Sequence, residues 1–361
     1  MIRALAILLA IAGCRGKSDK PDKEAPPNAR PIEAHASTLV IEPAAAKLPG
    51  ALWFVDDAEG NRRVIKLVGG KAGVIGRGAD DVFGALYPTA QRLPDGRVIA
   101  IASHGDGRPD GERLVSITEG GSIASLGPPA MQLRDPAVSP DGTWVVAAVQ
   151  TDGITNLVRI HTATGDASPL TSNREGNFYP VALSTEAIAF VSSRDGDSEI
   201  YRMNIDGSKV QRLTAFHRED WEPAIDVSGS QLAFTSDREQ KVPRIFVVKP
   251  DGTGVHRLTK STDANVQEGT MVWSPKTPAA YAYSLERAGH TQIIAALGGV
   301  EKVLTPPSTN DAEVAFSPDG SWLVLVRERG GDRELVAYPL PAGSGEPIVV
   351  ARGAIRTPRW F

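Results

Sequence analysis

Ala187-Ile188-Ala189-Phe190-Val191 is an unbroken apolar run, followed across the polar link Ser192 to Ser198 by Glu199-Ile200-Tyr201-Arg202-Met203-Asn204. Asp206-Gly207 then makes a turn into Val210-Gln211-Arg212-Leu213-Thr214, and an earlier segment of the same unit opens at Pro180. Short apolar runs bounded by glycine-bearing polar links suit strands covered on both faces. The stretch therefore predicts four short antiparallel strands joined by tight turns.

The unit recurs along the chain. Its second strand returns as Leu52 to Val55, Arg97 to Ala102, Trp144 to Val149, Gln231 to Thr235, Ala280 to Tyr283 and Trp322 to Val326, making seven copies in all. First strands begin at Pro88, Pro136, Pro180, Pro223, Met271, Val314 and Pro358, at intervals of 48, 44, 43, 48, 43 and 44 residues. Four strands per ~40–45 residues is the spacing of a β-propeller blade. Pro94-Asp95-Gly96, Pro140-Asp141-Gly142 and Pro318-Asp319-Gly320 supply hairpin chemistry, with proline fixing φ and glycine taking positive φ. The expected fold is all-β: seven four-stranded blades, with six as the alternative. The repeats open at Leu52 on a second strand and end at Pro358-Arg359-Trp360-Phe361 on a first strand. Pairing those ends in one blade would close the ring and remove its open edges.

Ser193-Arg194-Asp195-Gly196, Ile200-Tyr201-Arg202-Met203-Asn204-Ile205-Asp206-Gly207-Ser208 and Phe316-Ser317-Pro318-Asp319-Gly320 carry a family likeness. They resemble the PD-type, WD-like repeats of the TolB family and of the propeller domains of prolyl-oligopeptidase-like enzymes. The resemblance extends over 52–361. It departs from TolB before that point, where TolB proteins carry an α/β domain and this sequence has a polar tether.

Met1-Ile2-Arg3 supplies one positive charge, and Ala4 to Ala12 is continuously apolar. Nine apolar residues are well short of the ~20 needed to span a bilayer as a helix, so the segment predicts a signal peptide. It ends in Ile11-Ala12-Gly13-Cys14, which resembles the bacterial lipobox. That resemblance implies cleavage after residue 13 and lipidation of Cys14, with several acyl chains giving stable anchorage. Arg15, in place of an aspartate, implies an outer-membrane address on the periplasmic side. From there to about residue 51 the chain is rich in proline and mixed charge, which predicts a disordered tether. The expected organisation is a signal peptide at 1–13, a lipidated tether at 14–51 and a propeller at 52–361.

The 361 residues carry 43 acidic and 39 basic side chains, a formal charge of −4, so no cationic surface for nucleic acid is expected. One cysteine excludes a disulfide framework and any multi-cysteine metal site. No nucleophile elbow, phosphate loop or His-Glu-x-x-His motif occurs. The six histidines, His35, His104, His161, His217, His256 and His290, form no recognisable ligand set. Asp106 to Glu112 and Arg194 to Asp197 are acidic, but lack the alternating ligands of a calcium loop. No cofactor or metal is expected.

Asn177-Phe178-Tyr179 and His217 to Trp221 fall where one unit passes to the next. Propeller connections of that kind share a face with the loops after second strands, which adds Arg194, Asp195, Asp237, Arg238 and the Arg327 to Arg329 run. Aromatic and arginine side chains anchor protein interfaces. Phe178, Tyr179, Arg194, Asp195, His217, Trp221, Asp237 and Arg238 are therefore the candidate partner-binding face, although Tyr179 and Trp221 also suit wedges between blades. The expectation is a monomeric, lipid-anchored envelope scaffold that binds a protein or peptide without catalysis. The alternative is a carbohydrate-binding protein, or a lyase or hydrolase, using the central channel.

Overall fold

The apolar runs form strands whose alternate residues point to opposite faces. In the strand Ala187–Asp195, Ile188 and Phe190 join a buried cluster with Trp144, Val146 and Leu157 of the preceding unit. Ala189 and Val191 join a second cluster with Leu232, Phe234 and Phe246 of the following unit. Each middle strand is thus apolar throughout because a neighbouring sheet covers each face.

The computed structural model describes residues 38–58, 63–76, 85–103, 111–130, 132–329, 331–341 and 344–361, with backbone alone at 76, 85–90 and 329. Cys14, the signal segment, His35, His104 and the acidic stretch at 106–110 lie outside the described residues. Among those described the only helix is the 3-10 turn Pro43–Lys47, and no helix is long and apolar enough to cross a membrane.

Five sheets have four strands each. Four are consecutive meanders whose first strands are Ala85–Arg92, Gln132–Val138, Asn177–Ala182 and Asp220–Ile225. The fifth joins Leu52–Asp56, Arg63–Val68 and Lys71–Gly76 to the C-terminal strand Ile355–Trp360. Leu52 pairs with Trp360 and Trp53 with Arg359, so the two ends of the repeat region share one sheet. A nine-stranded sheet holds two more meanders, beginning at Val266–Trp273 and Asn310–Phe316. A single parallel bridge, Thr291 to Asn310, links them. Each of these seven first strands touches the next, and Ile355–Trp360 touches Ala85–Arg92.

The turns pack as the sequence suggests. Gly142 has φ of 72°, and a Cβ there would lie 2.3 Å from Cδ of Pro94 in the preceding unit's turn. Asp141 accepts the Thr143 amide at 3.1 Å, and Asp319 accepts that of Ser321 at 3.0 Å.

The tether expectation needs correction at its C-terminal end. Val40–Ile41 adds a strand to Ile348–Gly353, while Ala45 and Leu48 are buried among residues of the first and last units. A proline- and charge-weighted reading of 14–51 averages over this short apolar stretch, which has a groove to fill. Fourth strands are also shorter than expected: Gln211–Arg212 within 210–214 and His256–Arg257 within 255–259.

Candidate functional site

Two sets of side chains compete for a functional role: the loop-face residues picked out by sequence, and a series on the first strands.

Arg194 lies at the end of its second strand, half-buried. Its Nε donates to Ser192 Oγ at 3.0 Å and its Nη2 to Asn177 Oδ1 at 3.1 Å. The guanidinium carbon sits 5.4 Å and 4.9 Å from the ring centroids of Phe190 and Tyr201. Arg238 repeats this arrangement one unit later. Its Nε donates to Ser236 Oγ at 2.9 Å, its Nη2 meets Asp220 Oδ2 at 2.7 Å, and it stacks on Phe216, Phe234 and Phe246. Arg327 does the same in the last meander, bridging Asp311 and the Tyr338 hydroxyl. These three arginines tie first strand to second and third within their own sheets; cations over aromatic faces are favourable, more so when desolvated.

The rest of the predicted face divides. Phe178 and Tyr179 pack on the cluster between two sheets, and Trp221 is half-buried in its strand. Asp237 accepts the Glu219 amide at 3.2 Å. His217 and Asp195 are exposed, Asp195 bonding the Tyr201 hydroxyl. Phe216, absent from the sequence-derived set, is also exposed beside Arg238. His161 and His256 lie on strands, solvent-exposed.

The first strands carry a second series, of which the sequence pattern pointed only to Tyr179. Asp135, Tyr179, Glu222, Thr270, Glu313 and Thr357 have φ of 48°, 50°, 52°, 40°, 56° and 46°. Each sits where the first strand slips register against the second. Left-handed φ is unfavourable for residues with a Cβ and persists only where the surroundings over-determine it. Pro136, Pro180, Pro223 and Pro358 follow four of these residues, and a bulge is where a strand tolerates a missing N–H. The sequence carries a signal for four of them: each directly precedes a proline that opens a repeat.

These bulges bring polar groups of neighbouring units within electrostatic reach. Burial pushes the Asp135 carboxyl up to about 6, opposed by Arg134. Asp135 itself is exposed to solvent, so screening weakens this upward push. Burial also raises Glu222, opposed by the Thr270 amide and reinforced by the Asp135 charge. Tyr179, between them, is pushed up to about 12, by burial first and then by Glu222 and Asp135. Glu313 accepts the Thr357 amide, and burial pulls Arg359 down against the opposing pull of Glu313. Among the described residues no three histidine, cysteine or carboxylate side chains gather closely enough to hold a metal ion. An open groove of about 500 Å³ lies between Lys66, Lys71 and Val74 on Arg63–Val68 and Lys71–Gly76 and Glu119 of the next unit, and includes none of these residues.

The family model described as the TolB beta propeller domain matches residues 176–361. This chain belongs to that family. The match contains the motifs that carried the resemblance in the sequence. The "Protein TolB homolog" of Chlorobium chlorochromatii is 29% identical over 146 residues, covering 39% of this chain and 31% of the relative. The "Uncharacterized peptidase YuxL" of Bacillus subtilis is 26% identical over 210 residues, covering 54% of this chain and 29% of the relative. The chain thus spans about a third of the length of these curated relatives. TolB from Acinetobacter baumannii superposes with a TM-score of 0.54 at 19% identity, over 86% of this chain and 66% of that one. A Vibrio parahaemolyticus oligogalacturonate lyase gives 0.58 at 12% identity over 84% and 86%, and a Mycobacterium tuberculosis puromycin-hydrolyzing peptidase 0.59 at 17% over 88% and 56%. Likeness at these identities establishes the β-propeller fold alone.

Proposed function

We propose that the chain is a non-catalytic binding scaffold of the bacterial cell envelope, lipidated at Cys14 and held on the periplasmic side of the outer membrane. The seven meanders are seven blades of one ring, closed by the pairing of Ile355–Trp360 with Leu52–Asp56. The cycle of first-strand contacts supports that closure. The observation that carries the binding reading is the set of strained bulges on first strands that touch one another in a cycle, which on this reading offers Asp135, Glu222 and Glu313 beside Tyr179, Thr270 and Thr357 around a central channel. Strain held at equivalent places in six units, on residues other than glycine, fits a preorganised binding surface. Its carboxylates suit a cationic segment of a protein or peptide partner. Exposed Asp195, Phe216 and His217 give a second contact zone on the loop face.

The channel-enzyme reading keeps one specific support, because a carboxyl pushed up to about 6 can act as a general acid near neutrality. In-cell crosslinking with mass spectrometry separates the two. Native protein is compared with Glu222→Gln/Glu313→Gln and with Asp195→Ala/His217→Ala, each first shown to fold. An envelope protein captured by native chain and lost in the channel variant supports the scaffold. Absence of any partner, together with a sugar that raises the melting temperature of native but not Asp135→Asn protein, replaces it with the alternative.

A further inference from the structure

Residues 39–48 form a strap across the junction where the ends of the repeat region meet. Val40 pairs with Arg352 and Ile41 with Ala351, and the Glu42 amide donates to the Val350 carbonyl at 2.9 Å. The Glu42 carboxylate meets Arg352, whose Nε also contacts Glu334 at 3.1 Å. The 3-10 turn then carries Ala45 and Leu48 into a cluster shared by Leu52, Phe54 and Trp360 on one side and Val326, Leu335 and Val350 on the other.

Two glycines shape the seat. A Cβ on Gly353, where φ is +147°, would lie 3.2 Å from Leu39 Cα, and a Cβ on Gly70 would lie 3.0 Å from Ala46 Cβ. The seat is therefore fitted to an extended entry at Leu39 and a tight turn at Ala46, yet the hold at its entrance is slight. The ladder is two residues long, Val40 is 48% exposed, and the Arg352 ion pair is open to solvent and so weakened by screening.

We propose that the outer edge of Ile348–Gly353 and its adjoining groove are a strand-docking site, occupied in cis by the strap. In trans it accepts an extended partner segment with apolar residues at alternate positions followed by a carboxylate. The chemistry is that of the strap: backbone pairing gives affinity, Leu39 and Ile41 face the apolar cluster, and an acid answers Arg352. The strap is then an autoinhibitory strand, and the site opens when it peels away.

The test uses full-length protein and a fluorescent peptide with the sequence of residues 38–49. Anisotropy titration should show binding to Glu42→Lys protein at least tenfold tighter than to native protein, whose seat is filled. A peptide carrying lysine in place of glutamate should bind that variant at least tenfold more weakly than the native peptide. Ile41→Cys/Ala351→Cys protein provides an internal control, since oxidation locks the strap and reduction frees it. Peptide should bind the reduced form and not the oxidised form. Equal binding to the two forms, or no binding to a folded Glu42→Lys protein, overturns the proposal.

Discussion

Arg238 gives the sharpest separation of holding from binding. Its side chain is 12% exposed and its partner Asp220 is fully buried. Removing a buried charge's partner costs about 3–5 kcal/mol, because the remaining ion is left in low dielectric. Loss of the contacts to Phe234 and Phe246 places Arg238→Ala at the upper part of that range. Asp220→Asn should behave differently. The preceding unit already uses the amide Asn177 where this one uses Asp220, with the arginine at 3.1 Å in place of 2.7 Å. Burial pushes Asp220 up to about 6 against the opposing pull of Ser236 and Arg238, so neutralising it relieves desolvation while weakening one charged hydrogen bond. Those effects nearly cancel, and Asp220→Asn should cost less than about 1.5 kcal/mol at pH 7.5. Urea denaturation of both variants at that pH measures the difference. Equal losses, or an Arg238→Ala loss below about 1 kcal/mol, would refute the description of Arg238 as an internal tie and return it to the partner-binding set.

Phe190→Ala should cost ~3–5 kcal/mol in the same assay, since that side chain is fully buried between two sheets; a loss below one would contradict its packing. Deleting residues 358–361 removes the Leu52 and Trp53 pairings, the Trp360 indole bond to the Pro49 carbonyl and the Trp53–Phe361 edge contact. The melting temperature should fall far more than for four residues at an exposed loop; an unchanged value would contradict the proposed closure. Asp135 sets a pH dependence. With the folded carboxyl raised from 3.8 to about 6, its contribution to stability is present below 3.8 and lost as pH rises through 6. Asp135→Asn should therefore raise the melting temperature relative to native at pH 7.5, by an amount that shrinks toward pH 4. A difference independent of pH would mean that the Asp135 carboxyl is not raised in the folded state.

Repetition made the fold readable. The run Ala187 to Val191 is apolar at every position because its sheet is covered on both sides, and the same demand recurs in each unit. The site was less readable because equivalent positions hold different residues. Asp135, Tyr179, Glu222, Thr270, Glu313 and Thr357 share a backbone conformation but divide into acids, threonines and a tyrosine, so no single residue type marks the position. Position relative to the repeat is the only signal. Arg194 and Arg238 show the converse ambiguity: arginine beside aromatics reads as an interface, and here the same stacking forms a tie inside one sheet. Sequence adjacency cannot tell these apart, because the deciding partners, Asn177 and Asp220, lie 17 and 18 residues away across a strand pair.

On the proposed reading, one sheet type serves both stability and recognition. The arginine ties lie in the body of the sheet, where Asn177, Asp220 and Asp311 on the first strand are wholly buried. Two residues beyond each of these comes the bulge: Tyr179, Glu222 and Glu313. The tie fixes the strand just before the chain enters an unfavourable conformation, so the strain is held by a satisfied buried contact. If so, loosening a tie should relax its own bulge. In Arg238→Gln protein that remains folded, amide exchange around Glu222 should accelerate while exchange around Tyr179, held by Arg194, stays at the native rate. Acceleration spread evenly over both would show that the bulges are set by the packed sheets together, and not sheet by sheet.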